Sequence, residues 1–346
     1  MRQVAIKTLE DRKRKVLQAV IHQYIKTAKP VGSKVLIEEH GFDLSPATIR
    51  NIMADLENDG YLSHPHTSAG RIPTDKGYRL YVDSLFELQK LVISEKDRIT
   101  NGYNGKVKEL QDVLVQTSHV LSGLSKYYGF VLAPKKEINR LKHIELIPIS
   151  DSQLLAIMLT DTGIVKHHIV NSVVNREKIT YVNNLLNEKM CGMSMAEAKK
   201  NIAYKIAEAE QEHKEVLMLA KSIGKDIFDL DEELYIDGAS NILSLPEFRD
   251  YEPMRCLLKI GDKKNILSQA VQKDFLKDGV NVLIGAETHC KELANFSVVS
   301  AVYKDGEKPL GVLGIVGPKR MEYAKMMSIV STVTEIVNKM LGKIGE

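Results

Sequence analysis

The sequence predicts an α+β protein of several domains, and three observations carry that expectation. Up to about residue 85, apolar residues recur at helical spacing in short stripes broken by Pro and Gly. From about residue 128 the apolar period becomes two, the mark of half-buried strands. A Lys-, Glu- and Ala-rich helical stretch, about 176 to 235, then interrupts the strand-like segments in the manner of an insertion. A chain of 346 residues is long enough for two or three domains.

The elements follow in order. A first helix is expected from about Leu9 to Lys26, with Val16, Leu17, Val20, Ile21 and Tyr24 as its buried stripe. "KPVGSK" ends it, and Ser33 is expected to cap a short second helix carrying Val35 and Leu36, which Gly41 closes. Ser45 then caps a third helix with Pro46 in its first position, where a missing N–H costs nothing. Ile49, Ile52, Met53 and Leu56 form its inner stripe, and Gly60 follows its end. Short helix, tight turn, second helix is the outline of a helix-turn-helix.

That stripe leaves Ala47, Thr48, Arg50 and Asn51 facing outward near the helix N-terminus, beside the cap Ser45. Such a position suits reading base edges in a major groove. Arg grips guanine and Asn grips adenine through paired hydrogen bonds, and small side chains admit a thymine methyl. "GYLSHPHTSAGRIPT" follows, read as two short strands, Tyr61–His64 and Arg71–Pro73, around a loop of small residues. A hairpin of this kind is a wing. Thr67, Ser68 and Gly70 let backbone approach phosphates, and Arg71 supplies charge there or in the minor groove. Ser33 and Lys34 offer N–H groups and charge to a phosphate at the preceding helix. Thr74 caps the next helix. Residues 1 to about 85 therefore read as a winged helix-turn-helix.

Charge agrees with this only locally. The whole chain carries a formal +3, too small to identify a partner. Residues 1 to 34 hold Arg2, Lys7, Arg12, Lys13, Arg14, Lys15, Lys26, Lys29 and Lys34 against Glu10 and Asp11, a local +7 that attracts a polyanion. The three cysteines are far apart and form no CxxC, which fits a reduced, cytoplasmic setting. No segment approaches the ~18 apolar residues of a membrane span, and the opening residues lack a signal pattern.

Further on, a helical region from Leu85 to about Tyr127 carries Val107, Leu110, Leu114, Thr117, Leu121 and Leu124 on one side. It could pair with its copy in another subunit or cover a sheet in its own. Expected strands are "YYGFVLAP", "HIELIPIS", "QLLAIMLTDTGIVKHHIVNSV" (a hairpin turning at Asp161–Gly163), "MRCLLKIG", "NVLIGAE" and "FSVVSAVYKDGEKPLGVLGIVG" (a hairpin turning at Asp305–Gly306). Strands before 175 and after 253 are expected to form one α+β domain, closed by a helix from about Met321 to Leu341.

No catalytic constellation emerges, and no enzyme activity is expected. Asp161–Thr162–Gly163 is the triplet of aspartic proteases, but it occurs once, and Asp and Gly are ordinary turn residues. His64 and His66 lack the further Cys or His that zinc favours. The glycines of "GVLGIVGP" lie among strand residues, where close packing or bulges explain them. Neither a metal nor a cofactor is expected.

"PVGSK", "LSPATIRNIMADLENDGYLSHPHTSAGRIPTDKGYRLYVD", "LIPISDSQLLAIMLTDTGIVKHHIV", "YIDGASNILSLPEF" and "GVLGIVGPKRMEY" together resemble the HrcA family of heat-inducible transcription repressors. The likeness covers nearly the whole chain, in order, and is weakest in the middle helical region. It implies a winged helix-turn-helix DNA-binding domain at 1–85, a helical linker at 86–127 and a GAF-like domain at 128–175 and 236–346. An inserted, largely helical dimerisation domain would occupy 176–235. It further implies negative regulation of class I heat-shock genes by a homodimer bound to double-stranded DNA at the CIRCE inverted repeat, with the GroEL chaperonin supporting activity. A ligand-gated repressor, sensing a small effector through the GAF-like domain, is the alternative, as is a module for some other operator.

Overall fold

The computed structural model describes residues 11–65, 70–86, 110–133, 139–150, 152–171, 176–194, 197–198, 200–201, 234–243, 245–248, 251–262, 264–271 and 277–344. Three helices open it: α1 (Asp11–Thr27), α2 (Ser33–His40) and α3 (Pro46–Asn58). A two-stranded hairpin follows, β1 (Leu62–Ser63) and β2 (Ile72–Pro73), and then α4 (Asp75–Phe86). Val16, Leu17, Val20 and Ile21 of α1 meet Leu36 of α2 and Ile49, Met53 and Leu56 of α3 in a dry core. The stripes read from the sequence are the faces that pack, because each helix is too short to be stable without burying one.

The caps are local and mostly as expected. The Thr48 N–H donates to Ser45 Oγ at 3.1 Å, and Pro46 fills the first helical position. Replacing Ser45 with Ala leaves that N–H unanswered and should cost about 1 kcal/mol of stability, measurable by urea unfolding. α3 stops where Gly60 takes a φ of 77°, so that the Tyr61 N–H reaches Leu56 O and the Gly60 N–H reaches Glu57 O. Thr74 caps α4 by accepting the Gly77 N–H at 3.2 Å. Ser33 does not cap α2. Gly32 holds that position, and Ser33 is the first helical residue, 9% exposed.

The rest of the described chain is built on two sheets. α5 (Leu110–Ser125) leads to β3 (Tyr128–Leu132), the second strand of a five-stranded antiparallel sheet. A separate three-stranded antiparallel sheet follows: β4 (Leu141–Ser150), β5 (Gln153–Thr160) and β6 (Val165–Asn171), backed by α6 (Arg176–Met190). The chain returns to the larger sheet through β7 (Leu234–Asp237), and α7 (Ala239–Leu243), α8 (Tyr251–Asp262) and α9 (Lys264–Val271) come next. β8 (Val280–Ile284), β9 (Phe296–Asp305), β10 (Lys308–Pro318) and α10 (Tyr323–Ile344) complete it. The larger sheet runs β7-β3-β10-β9-β8.

Both faces of the five-stranded sheet are covered. Val131, Val299, Ala301, Leu313 and Ile315 join α5 and α10 on one side, while Phe130, Val298, Val302, Val312 and Val316 join α8 and α9 on the other. Hence β9 and β10 read as nearly unbroken apolar runs. α5 therefore covers a sheet of its own chain, with Leu110, Leu114, Thr117 and Leu121 inward. The glycine-rich strand is explained by packing. The register shifts at Gly311, and a side chain at Gly314 would strike the Val299 carbonyl and the Phe130 ring.

Strands before 175 divide between the two sheets: β3 joins those after 253, while β4, β5 and β6 pair only with one another. Two expectations are corrected. "MRCLLKIG" is helical within α8, with Cys256 and Ile260 packed toward the larger sheet and Met254 and Leu258 exposed on the other side. Residues 234–237, at the edge of the expected helical insertion, are an edge strand paired with β3.

α6 is bound to the smaller sheet in two ways. Ile179, Val182, Leu186 and Met190 cover Ile144, Leu146, Leu154, Ala156 and Met158. One turn apart, Asn183 and Asn187 act as a substitute strand along the free edge of β4. The Leu146 N–H donates to Asn183 Oδ1 at 2.9 Å and the Ile144 N–H to Asn187 Oδ1 at 3.0 Å, and each amide NH2 donates back to the same residue's carbonyl. The expected inner stripe from Ile202 to Ala220 lies outside the described residues.

Candidate nucleic-acid interface

α3 is held from behind and open in front. Lys13 of α1 pairs with Asp55 at 3.1 Å and reaches Asp59 at 3.8 Å, while Ile49 and Leu56 are fully buried. Ser45, Ala47, Thr48, Arg50 and Asn51 are all exposed. Ser45 Oγ and Thr48 Oγ1 lie 2.8 Å apart and are engaged with each other and the cap. That leaves Arg50 and Asn51 as the side chains best placed to grip a base. Lys34 is exposed on α2, whereas Ser33 is nearly buried. Ser33 can offer a ligand little beyond its backbone.

The hairpin base is seated against α2 and α3. Arg71 and Val31 exchange backbone hydrogen bonds, each 2.9 Å. Any side chain at Gly70 would come within 2.5 Å of the Val31 carbonyl carbon, so the close seating requires glycine. Thr67 and Ser68, the expected wing tip, lie outside the described residues, as does His66. Arg71 is turned inward to Glu57, with Nε 2.7 Å from Oε2, and His64 Nδ1 bonds the other carboxylate oxygen. Burial alone would raise the Glu57 pKa, but the His64 bond and the Arg71 charge outweigh it and hold the carboxyl below the usual glutamate value.

A lowered folded pKa makes a contribution that is complete above the unfolded value, ~4.3, and is lost as pH falls through the folded one. Urea unfolding between pH 5 and 3 should therefore show the parent chain losing more stability than Glu57→Gln. Equal losses would remove the anchoring role.

α4 joins this head to the five-stranded sheet. Asp75 accepts from Lys319 Nζ at 2.7 Å and from the Ala286 N–H at 3.2 Å. Arg79 Nε donates to Glu287 Oε1 at 2.8 Å, and its Nη2 donates to the Val282 carbonyl at 2.6 Å and to Glu287 Oε2. Arg320 donates to both oxygens of Glu247 and, at 3.2 Å, to the Ile25 carbonyl of α1. One apolar cluster runs unbroken from α1 to α10, with the Tyr78 and Tyr323 rings 5.9 Å apart at the junction. None of Glu57, Arg79 or Arg320 was singled out from the sequence. The available hint was Glu57, seven residues beyond Arg50 and so on nearly the same helix face.

A sequence profile described as "HrcA protein C terminal domain" matches residues 111–327. The chain belongs to the HrcA family. A heat-inducible transcription repressor HrcA from Geobacter sulfurreducens is 38% identical over 336 residues, spanning 96% of this chain and 98% of its own. The HrcA of Pelotomaculum thermopropionicum is 37% identical over 340 residues, spanning 97% and 98%. A crystal structure described as a hypothetical protein at 2.2 Å resolution superposes with a TM-score of 0.69 at 27% identity, covering 97% of this chain and all of that one. The HrcA relatives carry the name of transcription repressors, so the family is one of gene regulators.

Other chemistry has structural explanations. Asp161 of the single Asp-Thr-Gly accepts from the Arg140 N–H at 2.8 Å and from Lys308 Nζ at 2.9 Å, tethering the smaller sheet to β10. Among the described residues no group of three His, Cys, Asp or Glu is placed to hold a metal ion. No described helix is long and apolar enough to cross a membrane.

Proposed function

We propose that the chain is a negative regulator of class I heat-shock genes. It binds the CIRCE inverted repeat upstream of chaperone operons as a homodimer and blocks transcription, with GroEL supporting its activity. The observation that carries this is the exposed Arg50–Asn51 face of a capped, back-anchored helix beside a seated hairpin, in a member of a repressor family. In this reading residues 1–85 are a winged helix-turn-helix. Arg50 and Asn51 are the main base readers, with Ala47 and Thr48 beside them, and Lys34, Gly70 and Arg71 flank the phosphates.

The five-stranded sheet with its helices is then the GAF-like domain. The dimerisation unit includes β4, β5 and β6 as well as the helical insertion. Ile147, Ile149, Val165 and Ile169 of that smaller sheet are 42–53% exposed, an apolar surface that a second copy would cover. The expected setting is the cytoplasm.

Fluorescence anisotropy at physiological salt tests the proposal, comparing a CIRCE duplex with a scrambled one, with and without GroEL. A preference of ~10³ or more supports the operator assignment. An increased active fraction with GroEL supports chaperonin coupling. Equal binding to both duplexes even with GroEL removes the assignment.

One feature favours the ligand-gated alternative. A cavity of about 520 Å³ lies between α5, the β5–β6 turn and the sheet edge, lined by Leu110, Leu114, Ala133, Lys166, His167 and Tyr235. Its size suits a small ligand. A metabolite retained through purification and seen by native mass spectrometry would raise this reading above chaperonin sensing.

A further inference from the structure

Glu57 sits in an unexpected place for a carboxylate. It lies seven residues along α3 from Arg50, so the two share nearly one face of the helix, about 10 Å apart along its axis. An unneutralised carboxylate there would oppose the approach of a phosphate backbone. Two groups from the hairpin answer it: His64 from the end of β1, and Arg71 from the start of β2.

The hairpin does not need this contact to hold its backbone. Val31 and Arg71 exchange two backbone hydrogen bonds, Gly70 is packed against Val31, and the Thr74 hydroxyl donates to the Gly60 carbonyl at 2.7 Å. The Glu57 carboxylate therefore acts mainly on the Arg71 side chain, whose 24% exposure matches a guanidinium drawn back against the protein.

We propose that Glu57 is a built-in competitor for the DNA backbone: it holds Arg71 against α3 and so sets how tightly, and with what salt dependence, the chain binds any duplex. The proposal rests on the DNA-binding reading above. Carboxylate and phosphate oxygens both accept from a guanidinium, so Glu57 and a phosphate compete for the Arg71 side chain. A restrained wing cation lowers affinity for all sequences alike, because phosphates carry no sequence information.

The test is a charge-balanced cycle of Glu57→Gln, Arg71→Gln and the double variant, titrated with the CIRCE and scrambled duplexes from ~50 to 200 mM salt. Glu57→Gln should bind both duplexes roughly three- to tenfold tighter, with a salt slope steeper by about 0.9, the change for one added phosphate contact. Their affinity ratio should stay within about threefold, since a backbone term is common to both. Arg71→Gln leaves the carboxylate facing the DNA and should weaken both. The double variant restores the parent's net charge and should return near parent affinity and slope.

Glu57→Gln binding that is unchanged or weaker on both duplexes overturns the proposal, since a merely structural anchor would do that. A double variant as weak as Arg71→Gln overturns it as well. Should Glu57→Gln not fold, Arg71→Gln alone decides, and unaltered binding sinks the idea. If the parent binds neither duplex even at low salt, the DNA-binding reading falls and this proposal with it. If the parent binds and the variants match it, only the proposal falls.

Discussion

Arg50→Ala is expected to lower affinity for the operator duplex by about 1–3 kcal/mol, roughly five- to 150-fold, while binding to scrambled DNA changes much less. The reason is where Arg50 stands. It is exposed near the N-terminus of α3, the end that on the proposed reading enters a major groove, and its neighbours Ile49 and Met53 carry the packing. A guanidinium that donates two parallel bonds to guanine is lost entirely on truncation, and alanine puts nothing in its place. The unfolding midpoint should hardly move, because no core contact is removed. Anisotropy on a set of single-base operator variants would then show preference relaxed at one position of each half-site. An equal loss on operator and scrambled DNA would reassign Arg50 to the backbone.

The second large effect is expected far from the DNA. Arg79→Ala should cost about 2 kcal/mol of stability, the low end for truncating one partner of a buried, hydrogen-bonded charge pair. The low end applies because Arg79 and Glu287 keep 23% and 35% of their side-chain exposure. Truncation leaves the Val282 carbonyl without that donor and deprives Glu287 of its counter-charge, while Glu287 still accepts the Ile284 N–H at 2.9 Å. Burial would lower the Arg79 pKa, yet Glu287 and Asp83 raise it, so the guanidinium stays charged and committed.

The consequence reaches function through geometry. On the proposed reading, two heads on an inverted repeat must present their helices at a fixed spacing, and α4 is the element that fixes each head to its sheet. Arg79→Ala should therefore weaken binding to the full repeat more than to an isolated half-site. Urea unfolding and paired anisotropy titrations check both halves. A loss below about 0.3 kcal/mol, within ordinary surface scatter, would mean the apolar junction around Tyr78 and Tyr323 holds the head unaided.

What the sequence determined by itself is local. Pro46 after Ser45, Gly60 after α3, Thr74 before α4 and the two Asp-containing hairpin turns announce themselves within a few residues, because caps and turns are satisfied by near neighbours. The inner stripes of α1 and α3 are equally legible, since a period of 3.6 records which face is buried. So is the outward face of Arg50 and Asn51, by subtraction. The quoted segments likewise sufficed to bring the HrcA family into view.

The tertiary structure decided what depends on distant partners. A period-two run says that a strand exists but not which sheet it joins, so β4, β5 and β6 could be set apart from β9 and β10 only by their pairing. The apolar residues of α8 fit a strand or a helix in eight residues, and the covering of the larger sheet settled the matter. Ser33 follows the sequence rule for a cap, yet the approach of the chain at Val31 and Gly32 moved the cap one residue earlier. Arg71 shows the same limit for charge. Its sequence context marks a cation on a hairpin, but a side chain of that length takes the nearest well-placed carboxylate. Only the folding of the hairpin back on α3 brought Glu57 within 2.7 Å of it.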